Sequence, residues 1–111
     1  MKIGIDTVSI KRIMDILDKK PHFLRRVFSD NEILELERKK KWIYFESIAG
    51  KFAAKEAFIK ANNKKNIALK SIEVLKDSNG TPYIRAPGFY KSHSLSITHE
   101  REFAIAVILI L

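Results

Sequence analysis

The stretch GKFAAKEAFIKANN, Gly50 to Asn63, has the alanine-rich composition of a helix and contains no proline. The helical pattern extends back to about Trp42, making this the longest element of the chain. At 3.6 residues per turn, Phe45, Ala49, Phe52, Ile59 and Asn63 form one broad stripe, and Glu56 falls inside it. Lys60 follows Glu56 by one turn. An exposed Glu–Lys pair of this spacing is common and stabilises a helix by only a few tenths of a kcal/mol, about 0.2–0.5. Yet Glu56 interrupts an otherwise apolar face, on a stretch that already carries Lys51, Lys55 and Lys60.

Outward from this helix the pattern is ordered. KIGIDTV (2–8) alternates in the manner of a short strand. Ser9 is a cap for a helix starting at Ile10, with Ile10, Ile13, Met14 and Leu17 as its apolar stripe. Pro21 interrupts that helix. Ser29 and Asp30 are capping candidates for SDNEILEL, with Glu32 three residues after Ser29. Beyond the long helix, SIEVLKD and TPYIRA flank the turn SNG and predict a hairpin. HSLSIT and EFAIAVILIL add two strands joined by a tight connection near His99–Glu102. An N-terminal strand, a helical first half and an antiparallel second half define an α+β protein, one domain over residues 1–111. The last strand is apolar on both faces and belongs in the middle of a sheet or at a subunit interface.

Composition narrows the function. There is no cysteine, so no disulfide or thiolate metal site is available. FAIAVILIL is too short to cross a bilayer as a helix, and MKIGIDTV lacks the apolar run of a secretion signal. A cytoplasmic protein with no membrane partner is therefore expected. The net charge is +8, and residues 1–65 carry 16 Lys/Arg against 9 Asp/Glu while the remainder carries 5 against 4. A basic first half fits a nucleic acid, an anionic membrane surface, a phosphate-rich ligand or an acidic protein. No G-x-G-x-x-G or Walker pattern is present, and His22, His93 and His99 lack zinc spacing.

Asp6 raises the same question as Glu56, because an aspartate within a short strand is unfavourable by propensity and by burial. If the strand lies against the long helix, the two carboxylates share a divalent cation. Hard oxygen ligands suit Mg²⁺, which takes one or two carboxylates together with substrate phosphates. Lys60 then meets phosphate as a point charge. His99, beside Thr98 at a strand end, is a further polar candidate.

Three stretches carry a family resemblance: GIDTVSIKRI (4–13), AGKFAAKEAFIKA (49–61) and SLSITHEREFAIAV (94–107). In this order and spacing they resemble holo-acyl-carrier-protein synthase, the small bacterial class of 4'-phosphopantetheinyl transferase. The resemblance implies transfer of the 4'-phosphopantetheine arm of coenzyme A to a serine of apo-acyl carrier protein, releasing adenosine 3',5'-bisphosphate, with Mg²⁺. It assigns Asp6 and Glu56 as metal-binding, catalytic carboxylates and Lys60 as the lysine that contacts the phosphates. Lys51 stands where the family commonly has arginine, and supplies charge without a bidentate fork. His99 with Thr98, and Gly80 and Pro82 in NGTPY (79–83), are assigned to coenzyme A binding. Arg12, Lys19, His22, Phe23 and Arg26 are assigned to docking of the acidic carrier, His22 replacing a more usual arginine. Met14 is a further apolar anchor. The serine's proton goes to a metal-bound water or to Glu56. A homotrimer with active sites between subunits, and a role in fatty acid biosynthesis, are further implications.

The chain departs from the family after Ala61, where KANNKKN replaces a glycine-rich turn. Asn62 or Asn63 can take left-handed geometry there, and Lys64 and Lys65 can replace lost donors with charge. Two rival readings are a basic nucleic-acid-binding module built on ERKKKW with Trp42, Tyr44 and Phe45, and an inactive homologue that only binds carrier or coenzyme A. The first gives no reason for Asp6 or Glu56.

Overall fold

The computed structural model describes residues 1–63 and 66–111. β1 (Lys2–Ser9) leads into α1 (Ile10–Lys19), α2 (Phe23–Val27), α3 (Asp30–Glu37) and the long α4 (Lys41–Asn62). A 3-10 turn at Leu69–Ser71 precedes β2 (Glu73–Lys76), β3 (Pro82–Arg85), β4 (His93–His99) and β5 (Phe103–Ile110). Among the described residues no helix is long and apolar enough to cross a membrane.

Local chemistry sets these boundaries. The Ser9 hydroxyl accepts from the Arg12 N–H at 3.2 Å, capping α1. Ser29 and Glu32 form a complete capping box, the Ser29 N–H meeting Glu32 Oε1 at 3.0 Å and the Glu32 N–H meeting Ser29 Oγ at 3.2 Å. Pro21 lies between α1 and α2, as expected. Asn63 ends α4 in left-handed geometry, φ 58° and ψ 15°, its N–H donating to Ile59 O at 3.1 Å. Lys64 and Lys65, expected to supply charge there, lie outside the described residues.

The main sheet is antiparallel with order β1-β5-β4, so the doubly apolar β5 occupies the middle. β2 and β3 form the separate hairpin. It is tied to β4 by the Ile84 N–H donating to His93 Nε2 at 3.0 Å. One face of the main sheet packs on α4 through Gly4, Val8, Ala104, Ala106 and Ile108, all buried. Gly4 makes this approach possible, since a Cβ there would lie 2.0 Å from Ala57 O. The inward row of β1 is therefore Gly4, Asp6 and Val8, while Ile3 and Ile5 are turned outward.

The expected stripe on α4 needs correction. Phe45, Phe52, Glu56 and Ile59 are only half-buried and Asn63 is exposed, whereas Ile48, Ala49, Ala53, Ala57, Phe58 and Ala61 are buried. The cause is that α4 is covered on two sides, by the sheet and by α3 with β2. Its small residues face the sheet. Lys51 and Lys55 face the other side and are buried.

That second side is held by charged groups. Lys55 Nζ donates to Glu32 Oε1 at 2.6 Å, Ile72 O at 2.6 Å and Leu69 O at 2.9 Å. Glu32 Oε2 accepts the Val74 N–H at 3.0 Å, and Lys51 Nζ donates to Val74 O at 2.6 Å. Backbone groups of β2 and its approach that β3 does not pair are thus met by side chains of α3 and α4.

Candidate active site

Because Asp6 belongs to the inward row of β1, it faces α4 where Glu56 and Lys60 emerge. Lys60 Nζ lies 3.1 Å from Asp6 Oδ1 and 3.0 Å from Ile5 O. Asp6 and Glu56 line one cavity of about 250 Å³, together with Val8, Arg12, Ile13 and Phe52. Burial pushes the Glu56 carboxyl up from its ordinary value; the negative charge of Asp6 adds to the rise and Lys60 opposes it. Lys60 pairs with Asp6 and offsets only part of the rise at Glu56, so the two acids form an arrangement that can accept a cation. Among the described residues no group of three or more acids or histidines converges as a metal site. The donor set is thus the pair alone, which is the number of carboxylates that Mg²⁺ commonly takes when phosphates and water complete its shell.

The residues assigned to coenzyme A gather elsewhere. Lys51, Gly80, Pro82 and His99 line a second cavity of about 290 Å³, which Glu35 and Glu46 also border. Gly80 takes φ 81° in the turn of the hairpin, where Asp77 Oδ1 accepts the N–H groups of Asn79 at 2.8 Å and Thr81 at 3.0 Å. Lys51 is not a free cation: Glu35 Oε1 lies 3.2 Å from it. Burial pulls its pKa down, against the charge of Glu35. His99 Nδ1 lies 2.9 Å from Glu46 Oε2. Thr98 does not join this cavity. Strand alternation turns it, exposed, to the opposite face of the sheet.

The two cavities lie on opposite sides of α4. Ser47 borders the second and Glu56 the first, and nine residues of helix make about two and a half turns. Within one chain the carboxylate pair and the His99 cavity therefore face away from each other.

The docking residues lie on and beside α1 and α2. Arg12 lines the first cavity. Lys19 ends α1, His22 precedes α2 and Arg26 lies in the last turn of α2, all exposed. Met14 is half-buried. Phe23, expected as an exposed anchor, is half-buried, its ring 6.0 Å from that of Phe52 and 6.5 Å from that of Phe28. The rival nucleic-acid surface is weakened by the same kind of burial. Tyr44 and Phe45 stack on each other at 5.4 Å and pack on the core, leaving Trp42 as the exposed ring.

Sequence reasoning missed Glu46 and the Glu32–Lys55 pair. Glu46 lies four residues before Gly50, a helix glycine whose presence signals close packing. Glu32 was legible as a capping residue, but its second oxygen could be assigned only after β2 was placed.

The chain belongs to the 4'-phosphopantetheinyl transferase superfamily, whose family model matches residues 2–108. Among similar proteins is a holo-[acyl-carrier-protein] synthase of Thermodesulfovibrio yellowstonii, 40% identical over 110 residues, covering 97% of this chain and 96% of the relative. A crystal structure of the holo-(acyl-carrier-protein) synthase of Bacillus anthracis in complex with CoA (3',5'-ADP) matches with TM-score 0.87 and 36% identity, over 98% of this chain and 94% of that one. The Helicobacter pylori holo-[acyl-carrier-protein] synthase in complex with coenzyme A matches with TM-score 0.83 and 36% identity, over 98% and 99%.

Proposed function

We propose that this chain is a holo-[acyl-carrier-protein] synthase. It transfers the 4'-phosphopantetheine group of coenzyme A to a serine of apo-acyl carrier protein. The serine oxygen bonds to the phosphorus carrying the pantetheine arm, the anhydride bond breaks, and adenosine 3',5'-bisphosphate leaves. The observation that carries this reading is the meeting of Asp6 and Glu56, from two elements far apart in sequence, at one cavity, with Lys60 paired to Asp6 at 3.1 Å.

Asp6 and Glu56 would hold Mg²⁺. When bound, the ion neutralises the diphosphate and stabilises charge developing on its oxygens. Lys60, oriented by Asp6 Oδ1 and Ile5 O, adds a fixed positive charge beside the phosphates. Burial and the charge of Asp6 raise the pKa of Glu56, and a bound cation would offset both; the serine proton passes to Glu56 or to water at the site. Arg12 borders the cavity, and with Lys19 and Arg26 it would steer the acidic carrier toward it.

A homotrimer explains how two cavities on opposite sides of α4 serve one reaction. The sheet face turned away from α4 presents Ile3 and Ile5, 68% and 56% exposed, beside half-buried Ile105, Val107 and Leu109 of β5. Such a contiguous apolar face is covered in an assembled state. Neighbouring copies packed on it would bring the His99 cavity of one subunit to the carboxylate pair of the next. The cytoplasm and fatty acid synthesis are the setting this activity implies.

Purified protein with Mg²⁺, coenzyme A and apo-acyl carrier protein is expected to add the phosphopantetheine mass to the carrier, read by mass spectrometry. Glu56→Gln and Asp6→Asn are expected to abolish the gain while remaining folded. Wild-type protein that leaves several carriers unmodified overturns the proposal.

A further inference from the structure

Gly50 determines how closely α4 lies against β4, since a Cβ at this position would sit 2.9 Å from Ile97 Cγ2. One turn before Gly50 stands Glu46, and two residues beyond Ile97 stands His99. Four residues of helix rise about 6 Å and two residues of strand about 6.6 Å, so the second pair falls into register with the first. Its product is the 2.9 Å contact between His99 Nδ1 and Glu46 Oε2, with the acid only 14% exposed and the imidazole 51%.

We infer that Glu46 is a positioning residue that orients His99 for coenzyme A, an inference that rests on the reading of their shared cavity given above. At 2.9 Å the Glu46 carboxylate favours a proton on Nδ1 over one on Nε2, which selects one tautomer. In the neutral ring the Nε2 lone pair is then left for the cavity. That atom accepts a hydrogen bond from an N–H donor, the kind of group that coenzyme A offers in its pantetheine amides and its adenine amine. Without Glu46 the imidazole divides between tautomers and rotates about its side-chain bonds, so binding must then select the right one.

Titration calorimetry of the assembled protein with coenzyme A, and ¹⁵N spectra of its histidines, test this. Glu46→Leu removes the acceptor and is expected to raise Kd roughly tenfold, the lower end of what losing an orienting partner costs a histidine at metal sites. It should also move His99 from the Nδ1–H form toward the free-imidazole mixture. Glu46→Gln retains a carbonyl acceptor, so a smaller change in both readouts is expected. In a His99→Ala background, Glu46→Leu should have no further effect on Kd. A Kd within twofold of wild type for Glu46→Leu, an unchanged tautomer ratio, or a full penalty persisting in His99→Ala overturns the inference. Wild-type protein that binds no coenzyme A overturns the proposed function instead.

Discussion

Replacing Lys55 by methionine probes the buried charges that join α4 to β2. Methionine fills most of the same volume, so the cost comes from lost pairing and not from a cavity. Lys55 and Glu32 are both 0% exposed, and the lysine ammonium has three acceptors between 2.6 and 2.9 Å. Its removal leaves the Glu32 carboxylate buried with the N–H groups of Ser29 and Val74 but no cation, and frees the carbonyls of Leu69 and Ile72. Breaking a buried pair in this way costs about 3–5 kcal/mol, a large part of the ~5–15 kcal/mol that holds a domain together. The melting temperature should fall by roughly 15–25 °C. Urea unfolding followed by circular dichroism measures the loss directly. Adding Glu32→Gln to Lys55→Met should recover about 1–3 kcal/mol, because a neutral carbonyl still accepts the Val74 N–H while the unpaired charge disappears. Two results would refute the reasoning: a single variant within about 1 kcal/mol of wild type, or a double variant less stable than the single.

Gly4→Ala should prevent β1 from seating on α4, since its Cβ would meet Ala57 O at 2.0 Å and Ala61 Cβ at 3.1 Å; loss of soluble folded protein, or a steep fall in melting temperature, is the expected readout. Glu56→Gln should raise the melting temperature of ligand-free protein, because a neutral amide relieves the crowding of two carboxylates. The stabilisation that Mg²⁺ gives the wild type should disappear in the same variant. Glu73 gives a pH dependence: burial raises its pKa, but hydrogen bonds from Ser29, Arg85 and Asn31 outweigh this and leave it lowered. Its contribution is present above the ordinary carboxylate range and lost as pH falls through its folded value. The melting temperatures of wild type and Glu73→Gln should therefore differ at neutral pH and converge only at a pH below the ordinary carboxylate range.

The elements were legible where local chemistry decides them. The cap at Ser9, the capping box at Ser29, the Asp77–Thr81 turn and the left-handed residue after α4 all follow from nearest neighbours. The central place of β5 followed from its apolar faces. What misled was assigning faces by hydrophobicity. Ile3 and Ile5 look like the inward row of β1, yet the inward row is Gly4, Asp6 and Val8, because α4 approaches too closely for a side chain at residue 4. Likewise Lys51 and Lys55 look like solvent-facing charge. They are buried because β2 leaves backbone groups unpaired on the side facing α3 and α4, a fact of tertiary placement with no local signature.

The candidate site divides along the same line. Asp6, Glu56 and Lys60 stood out as charges in apolar elements, and packing of β1 on α4 unites them. His99, Gly80 and Pro82 stood out only through their resemblance to a family pattern, and they gather on the other side of the helix. A single α4 displays both sets because its period puts positions nine residues apart on opposite sides. It serves as a partition whose two sides belong to different active sites if neighbouring copies pack on the apolar face of β1 and β5. Ile5→Lys with Val107→Lys, on that face and away from both cavities, should then yield monomers in light scattering. Transfer should be lost although each carboxylate pair and each His99 cavity remains intact. Monomers with full activity would refute the shared site, because one chain alone cannot turn both sides of α4 toward the same substrate.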